Sequence, residues 1–192
     1  MIPDGTAEAV AHLAADLERV LLAWEPPSAE QQALRGEYLA HLAAHPGAVL
    51  RSGPPEHFTV ACLVLDHTRT QVLLTLHGKA NRWFQLGGHL EATDDSVRGA
   101  ALREALEESG IAESSLALHP DPVHLDRHEL IGSFGRCTWH LDVRYVAVAA
   151  PGAVHAISEE SLDLAWWPID ALPEDSADEI LPLVEGALSA LT

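Results

Sequence analysis

Residues 87 to 111 of this chain read Gly-Gly-His-Leu-Glu-Ala-Thr-Asp-Asp-Ser-Val-Arg-Gly-Ala-Ala-Leu-Arg-Glu-Ala-Leu-Glu-Glu-Ser-Gly-Ile. The pattern predicts a glycine turn followed by a short helix. On that helix Glu104, Glu107 and Glu108 lie three and four residues apart, on one face. Like charges at this spacing cost about 0.2–0.5 kcal/mol per pair, so the cluster calls for a positive partner. A solvated acidic face is the plainer reading of an isolated Glu-Glu pair. Here the glycines in front, Arg103 within and Gly110 behind point to a divalent metal site, because solubility requires none of them.

A second set of chemistry-bearing side chains lies downstream. His140, Asp142 and Arg144 alternate with Leu141, Val143 and Tyr145, so on a strand the three polar groups share a face. His124, Asp126 and His128 do the same on the preceding segment. If Ser133-Phe134-Gly135 forms a three-residue hairpin loop with Gly135 left-handed, His128 faces His140, Asp126 faces Asp142 and His124 faces Arg144. Such a patch either lines a cleft or forms a solvated sheet face. In a cleft, Arg144 or a histidine would grip phosphate, and Asp142 or Glu129 would help activate water. Zinc binding by the histidines, and a pH-sensitive activity, are open on this reading. Trp83, Trp139, Trp166 and Trp167 are candidates for stacking on a base or for the core.

These residues need elements to position them. Val10, Leu13, Leu17, Val20 and Leu21 recur at helical spacing until Pro26-Pro27. Ser28 with Gln31 forms a capping box for a second helix carrying Leu34, Tyr38, Leu39 and Leu42, which His45-Pro46-Gly47 ends. From Phe58 the period changes: Phe58 to Leu65 and Gln71 to Leu76 form a hairpin about Asp66-His67-Thr68-Arg69. The acidic helix starts near Ser96 and closes at Gly110. Strands follow at about 122–129 and 137–149, then Leu162 to Trp167, and a C-terminal helix over Glu179 to Leu191. Strands interleaved with helices predict a mixed α/β layered fold, with residues 1–50 as a helical extension and 51–192 as the main domain.

Composition narrows the partners. With 192 residues and 47% hydrophobic side chains, the chain can bury about 70% of its unfolded surface in a core. Its net charge of −18, with only 11 Lys plus Arg, argues against binding polymeric nucleic acid, whose phosphates need a basic stripe. A phosphate-bearing ligand would need cations to mediate. No apolar run reaches the roughly 18–20 residues that span a bilayer, and no basic region precedes an apolar one at the N-terminus. That predicts a cytosolic protein, in which Cys62 and Cys137, far apart and without metal-ligand spacing, act as small apolar residues. The N-terminal helices either cover an interface in a homodimer or complete the core.

The acidic segment resembles the Nudix box, whose pattern is Gly, five residues, Glu, seven residues, then Arg-Glu-aliphatic-any-Glu-Glu-any-Gly-aliphatic. Arg103 to Ile111 matches, with small Ala105 at the aliphatic position. Asp95 stands for the first Glu, one residue too far from Gly88. Placing the extra residue in Ala92-Thr93-Asp94 keeps the helix intact. Leu86 replaces the usual Pro before the glycines. Residues 78–91 also look like a bacterial, MutT-like branch of the family.

The resemblance covers roughly residues 55 to 175. It implies an α/β/α sandwich that hydrolyses a nucleoside diphosphate linked to another moiety, a small-molecule nucleotide derivative, using Mg²⁺ or Mn²⁺. By position it makes Glu107 and Glu108 principal ligands, Glu104 a ligand or water-orienting base, and the Gly87 carbonyl a further ligand. Arg103 would clamp Glu104 and pair with Asp95, while Gly88 and Gly110 shape the motif. Two alternatives share the fold: a binding or regulatory domain without turnover, and an isoprenyl diphosphate isomerase. Cys62 and Cys137 lack the surroundings expected in the isomerase.

Overall fold

The computed structural model describes residues 4–78, 81–130, 137–157 and 161–192. Two helices open the chain, α1 (Asp4–Ala23) and α2 (Ala29–Ala44), separated by the proline pair as their period predicts. Ser28 caps α2 by accepting the Gln31 N–H at 3.2 Å. The Gln31 side chain does not complete the capping box by reaching back. Its amide donates to the Leu125 carbonyl at 2.9 Å and accepts the Leu125 N–H at 2.7 Å, because an outer strand offers it both partners at once.

The remaining elements build one eight-stranded mixed sheet. Its strands are β1 (Glu56–Leu65), β2 (Gln71–His77), β3 (Arg82–Phe84), β4 (Leu86–His89), β5 (Leu116–Leu118), β6 (His124–Glu129), β7 (Trp139–Ala149) and β8 (Ser161–Pro168). The helices are α3 (Val97–Ser109), between β4 and β5, and α4 (Ala177–Ala190) at the end. β1 and β7 run parallel at the centre, with His57 beside His140 and Thr59 beside Asp142. β1 and β2 pair only beside their turn, at Val64↔Leu73 and Leu65↔Val72. Beyond it β3 pairs with β2 and β4 with β1.

Strand alternation divides the side chains of β1 between two helical layers. Phe58 and Val60 join Leu13, Leu17, Leu21, Tyr38, Ala100, Ala101, Leu141 and Val143 in the cluster under α1, α2 and α3. Leu63 and Leu65 join Ile180, Leu183, Val184 and Ala187 under α4. The result is an α/β/α sandwich whose N-terminal helices bury their apolar stripe in the chain's own core. Among the described residues, no helix is long and apolar enough to cross a membrane.

The β6–β7 pairing has the anticipated register, His124↔Arg144, Asp126↔Asp142 and His128↔His140. Its loop, Ser133-Phe134-Gly135, lies outside the described residues. Gly87 and Gly88 correct the expectation of a glycine turn: they sit inside β4, opposite Ala61 and Val60. A Cβ on Gly87 would stand 2.4 Å from the Val60 carbonyl oxygen. Glycine here permits close approach between strands.

Candidate active site

α3 is fixed at both ends before its acids are placed. Ser96 is extended and its Oγ accepts the Gly99 N–H at 2.9 Å. Asp16, from α1, accepts the Val97 N–H at 2.8 Å, so a second helix supplies part of the cap. Gly110 closes the other end at φ 64°, a left-handed conformation in which a Cβ is costly. Between them Ala100, Ala101 and Ala105 are buried against the sheet, which leaves the glutamates at the rim. Ala105 and Leu86 lie in the same buried cluster, so the bulk gained where the family pattern has Pro accompanies the bulk lost at the aliphatic position.

The glutamates meet β4. A Cβ on Gly88 would stand 2.7 Å from Glu104 Oε1, so the carboxylate lies where any side chain would exclude it. The Gly87 N–H donates to Glu108 Oε2 at 2.9 Å. Glu107 is exposed.

Arg103 ties the group together with all five N–H donors of its guanidinium. Nε and Nη2 donate to the two Asp94 oxygens at 2.8 and 3.1 Å. Nη2 also donates to the His89 carbonyl at 2.9 Å, and Nη1 to Glu104 at 2.9 Å and Glu107 at 3.0 Å. The expected partner, Asp95, is not the one used. Its carbonyl accepts from His12 Nε2 at 2.8 Å, while Asp94 is turned inward by a tight loop in which it accepts the Glu91 N–H at 2.7 Å. Counted from Asp94, Gly88 has its five intervening residues, and the extra residue falls between Asp94 and the cap Ser96. Burial raises the Glu104 carboxyl above its ordinary value, against the pull of Arg103. The hydrogen bonds that Arg103 donates to Asp94 raise the Arg103 pKa.

Within the histidine patch Asp142 and Arg144 are 6% and 1% exposed, while His124, Asp126, His128 and His140 are half-buried. Arg144 Nη2 donates to Asp126 at 2.8 Å and Nε to Asp142 at 3.2 Å. Thr59 donates to the other Asp142 oxygen. This arginine is held by two carboxylates and turned away from solvent. Asp126 also accepts from His128 Nδ1 at 2.8 Å. That bond, with the charge of Asp142, raises the His128 pKa against its burial. Burial lowers His124 and His89 to about 4 and His140 to about 3. Glu129 pairs with Trp139 and is exposed, and alternation puts it on the opposite face from His128.

The family model for the NUDIX domain matches residues 55–185. The chain belongs to the Nudix family. It is an enzyme of the Nudix hydrolase class, whose general reaction is hydrolysis of a nucleotide pyrophosphate bond. A NUDIX family hydrolase from Clostridium perfringens is 25% identical with a TM-score of 0.54, the match covering 70% of this chain and 95% of that one. An Ap4A hydrolase of C. elegans (19% identity, TM-score 0.56, 70% and 96% coverage) shares the fold. So does the NUDIX domain of Shewanella oneidensis NrtR, solved with ADP ribose (20%, 0.52, 70% and 88%). No curated protein matches the chain.

The tryptophans of this Nudix chain pack rather than stand open. Trp83 and Trp167 meet edge to face at 5.3 Å in the cluster under α4. Trp139 lies under the Arg127 guanidinium at 4.6 Å, and Trp166 packs against the cluster containing Ala105. Sequence reasoning missed His57 and His89. Both carry imidazoles beside His140, with ring centroids 5.0 and 5.1 Å away. The only signal was a histidine one residue before a strand-like run and another directly after the glycine pair.

Proposed function

We propose that this Nudix enzyme hydrolyses the pyrophosphate bond of a nucleoside diphosphate linked to another moiety. In this reading Mg²⁺ or Mn²⁺ is held by Glu104, Glu107, Glu108 and the Gly87 carbonyl. The observation that carries it is the seat of Glu104: its carboxylate occupies the space Gly88 lacks, fixed there by an Arg103 whose other donors are all engaged. The residues fit such an ion. Every donor is an oxygen, which suits a hard cation, and a carboxylate whose pKa burial raises gains from one nearby.

Once bound, the ion supplies neutralisation of phosphate oxygens and acidification of a water. Arg103 keeps Glu104 oriented, and Glu104, whose pKa burial raises, would serve as the proton acceptor beside the ion. In a chain of charge −18, an anionic substrate is admitted only where cations offset the carboxylates.

Because one relative was solved with ADP ribose and another is an Ap4A hydrolase, both compounds belong in the first panel, with nucleoside triphosphates and sugar nucleotides. Turnover should appear with Mg²⁺ or Mn²⁺, vanish with EDTA, and fall at least about a hundredfold in Glu108→Gln. Product masses then identify the phosphorus attacked. Tight nucleotide binding with no turnover under any divalent metal would replace this reading with the binding-domain alternative.

A further inference from the structure

Successive residues of β4 face opposite ways. Gly88 faces the Glu104 carboxylate, whereas His89 faces a separate cluster on the other side of the sheet. His57 at the start of β1 and His140 at the start of β7 are partners in the parallel register. Cys137 comes three residues before His140. One ligand atom from each of His57, His89, Cys137 and His140 can be chosen so that all four lie within 4.8 Å of one another. The three rings form a near-equilateral triangle, with centroids 5.1, 5.0 and 5.1 Å apart.

Hydrogen bonding alone leaves this cluster incomplete. The Pro54 carbonyl can only accept, so its 3.2 Å contact with His57 Nδ1 puts the proton there and turns an unprotonated Nε2 inward. That Nε2 accepts from His89 Nε2 at 3.0 Å. His140 Nε2 is buried with no hydrogen-bond partner among the described residues, a state that costs about 1–3 kcal/mol. A carbonyl fixing the outer nitrogen while the inner one points at neighbouring donors is the usual support of a metal-bound histidine.

We propose that His57, His89, Cys137 and His140 bind one Zn²⁺ in a closed, tetrahedral site of structural type. Zn–N and Zn–S bonds of about 2.0–2.1 and 2.3 Å place ligand atoms about 3.3–3.7 Å apart, so atoms that now lie within 4.8 Å of one another would draw closer on binding. Nitrogen and thiolate donors select a borderline ion over Mg²⁺, and four protein ligands leave no position for substrate. Binding releases the Cys137 thiol proton to solvent and requires His89 to carry its proton on Nδ1. The ion would tie β4 to β1 and β7. It would also steady the His89 carbonyl, which accepts from Arg103.

The test uses the full chain, stripped with EDTA and loaded with Zn²⁺ or Co²⁺, without substrate. One equivalent of Zn²⁺ should bind and raise the melting temperature. Co²⁺ should give tetrahedral d–d bands with a thiolate charge-transfer band. Cys137→Ser should abolish that band and weaken Zn²⁺ binding at least about tenfold, and His140→Asn should weaken it similarly. The Glu107→Gln, Glu108→Gln double variant should keep both signals, which separates this site from the hydrolytic one. An octahedral Co²⁺ spectrum in wild type, less than one equivalent of zinc, or unchanged binding in Cys137→Ser would overturn the proposal.

Discussion

Asp94 and Asp95 are chemically identical neighbours, yet only Asp94 reaches Arg103, and the reason lies in the loop. Asp94 accepts the Glu91 N–H while its own N–H donates to the Glu91 carbonyl. Its carboxylate, 5% exposed, faces the guanidinium. Asp94→Asn should cost about 2 kcal/mol of stability in urea, as expected for charge-assisted hydrogen bonds, and lower turnover at least about tenfold by loosening Glu104. Asp95→Asn should change stability by less than about 0.5 kcal/mol. Equal effects of the two substitutions would return Asp95 to the role the family pattern gives it. The three glutamates and Arg103 were legible because they lie within one turn and a half of a single helix. The choice between two aspartates was not, since counting residues cannot show which one a turn points inward.

At the scale of elements, the long periodic segments were readable: both N-terminal helices, the first hairpin, the acidic helix and the β6–β7 register. Strands β3, β4 and β5, of three or four residues each, carry too little pattern to be seen. β4 exists because glycine lets it approach β1, a contact some 25 residues distant along the chain. The meeting of His57 with His140 was equally hidden, since it depends on a parallel register between strands 83 positions apart. Nothing in the sequence connects α1 to the acidic helix either, yet Asp16 caps that helix. Asp16→Ala should lower stability by about 1 kcal/mol through loss of the cap and of negative charge at a helix N-terminus. Arg19, which pairs with Asp16 but is exposed, is the control: Arg19→Ala should have little effect, as exposed ion pairs contribute little. Equal losses in the two variants would assign the role to the ion pair.

Across the whole molecule, acid sensitivity follows from histidines kept neutral inside the fold. Burial, with Arg144 nearby, lowers His124 to about 4, whereas the unfolded chain protonates it near 6.5. Gln31, Asp126, Asp142 and Arg144 are the polar groups facing it. A depressed folded-state pKa gives stability that is fully present above about pH 6.5 and is lost as pH falls toward about 4. The raised His128 works the other way: its contribution is present below about pH 6.5 and lost as pH rises through its folded-state value. In EDTA-treated protein the urea midpoint should therefore drop between about pH 7 and pH 5, and His124→Gln should flatten the drop. A midpoint that rises on acidification, or an unchanged slope in the variant, would contradict this assignment. The same part of the sheet bears on how copies of the protein can associate. The amide of Gln31 already occupies both peptide groups of Leu125 on β6. A second molecule seeking to lengthen the sheet across that rung must first displace two hydrogen bonds of about 1 kcal/mol each, so one helix side chain is a barrier to strand-to-strand aggregation.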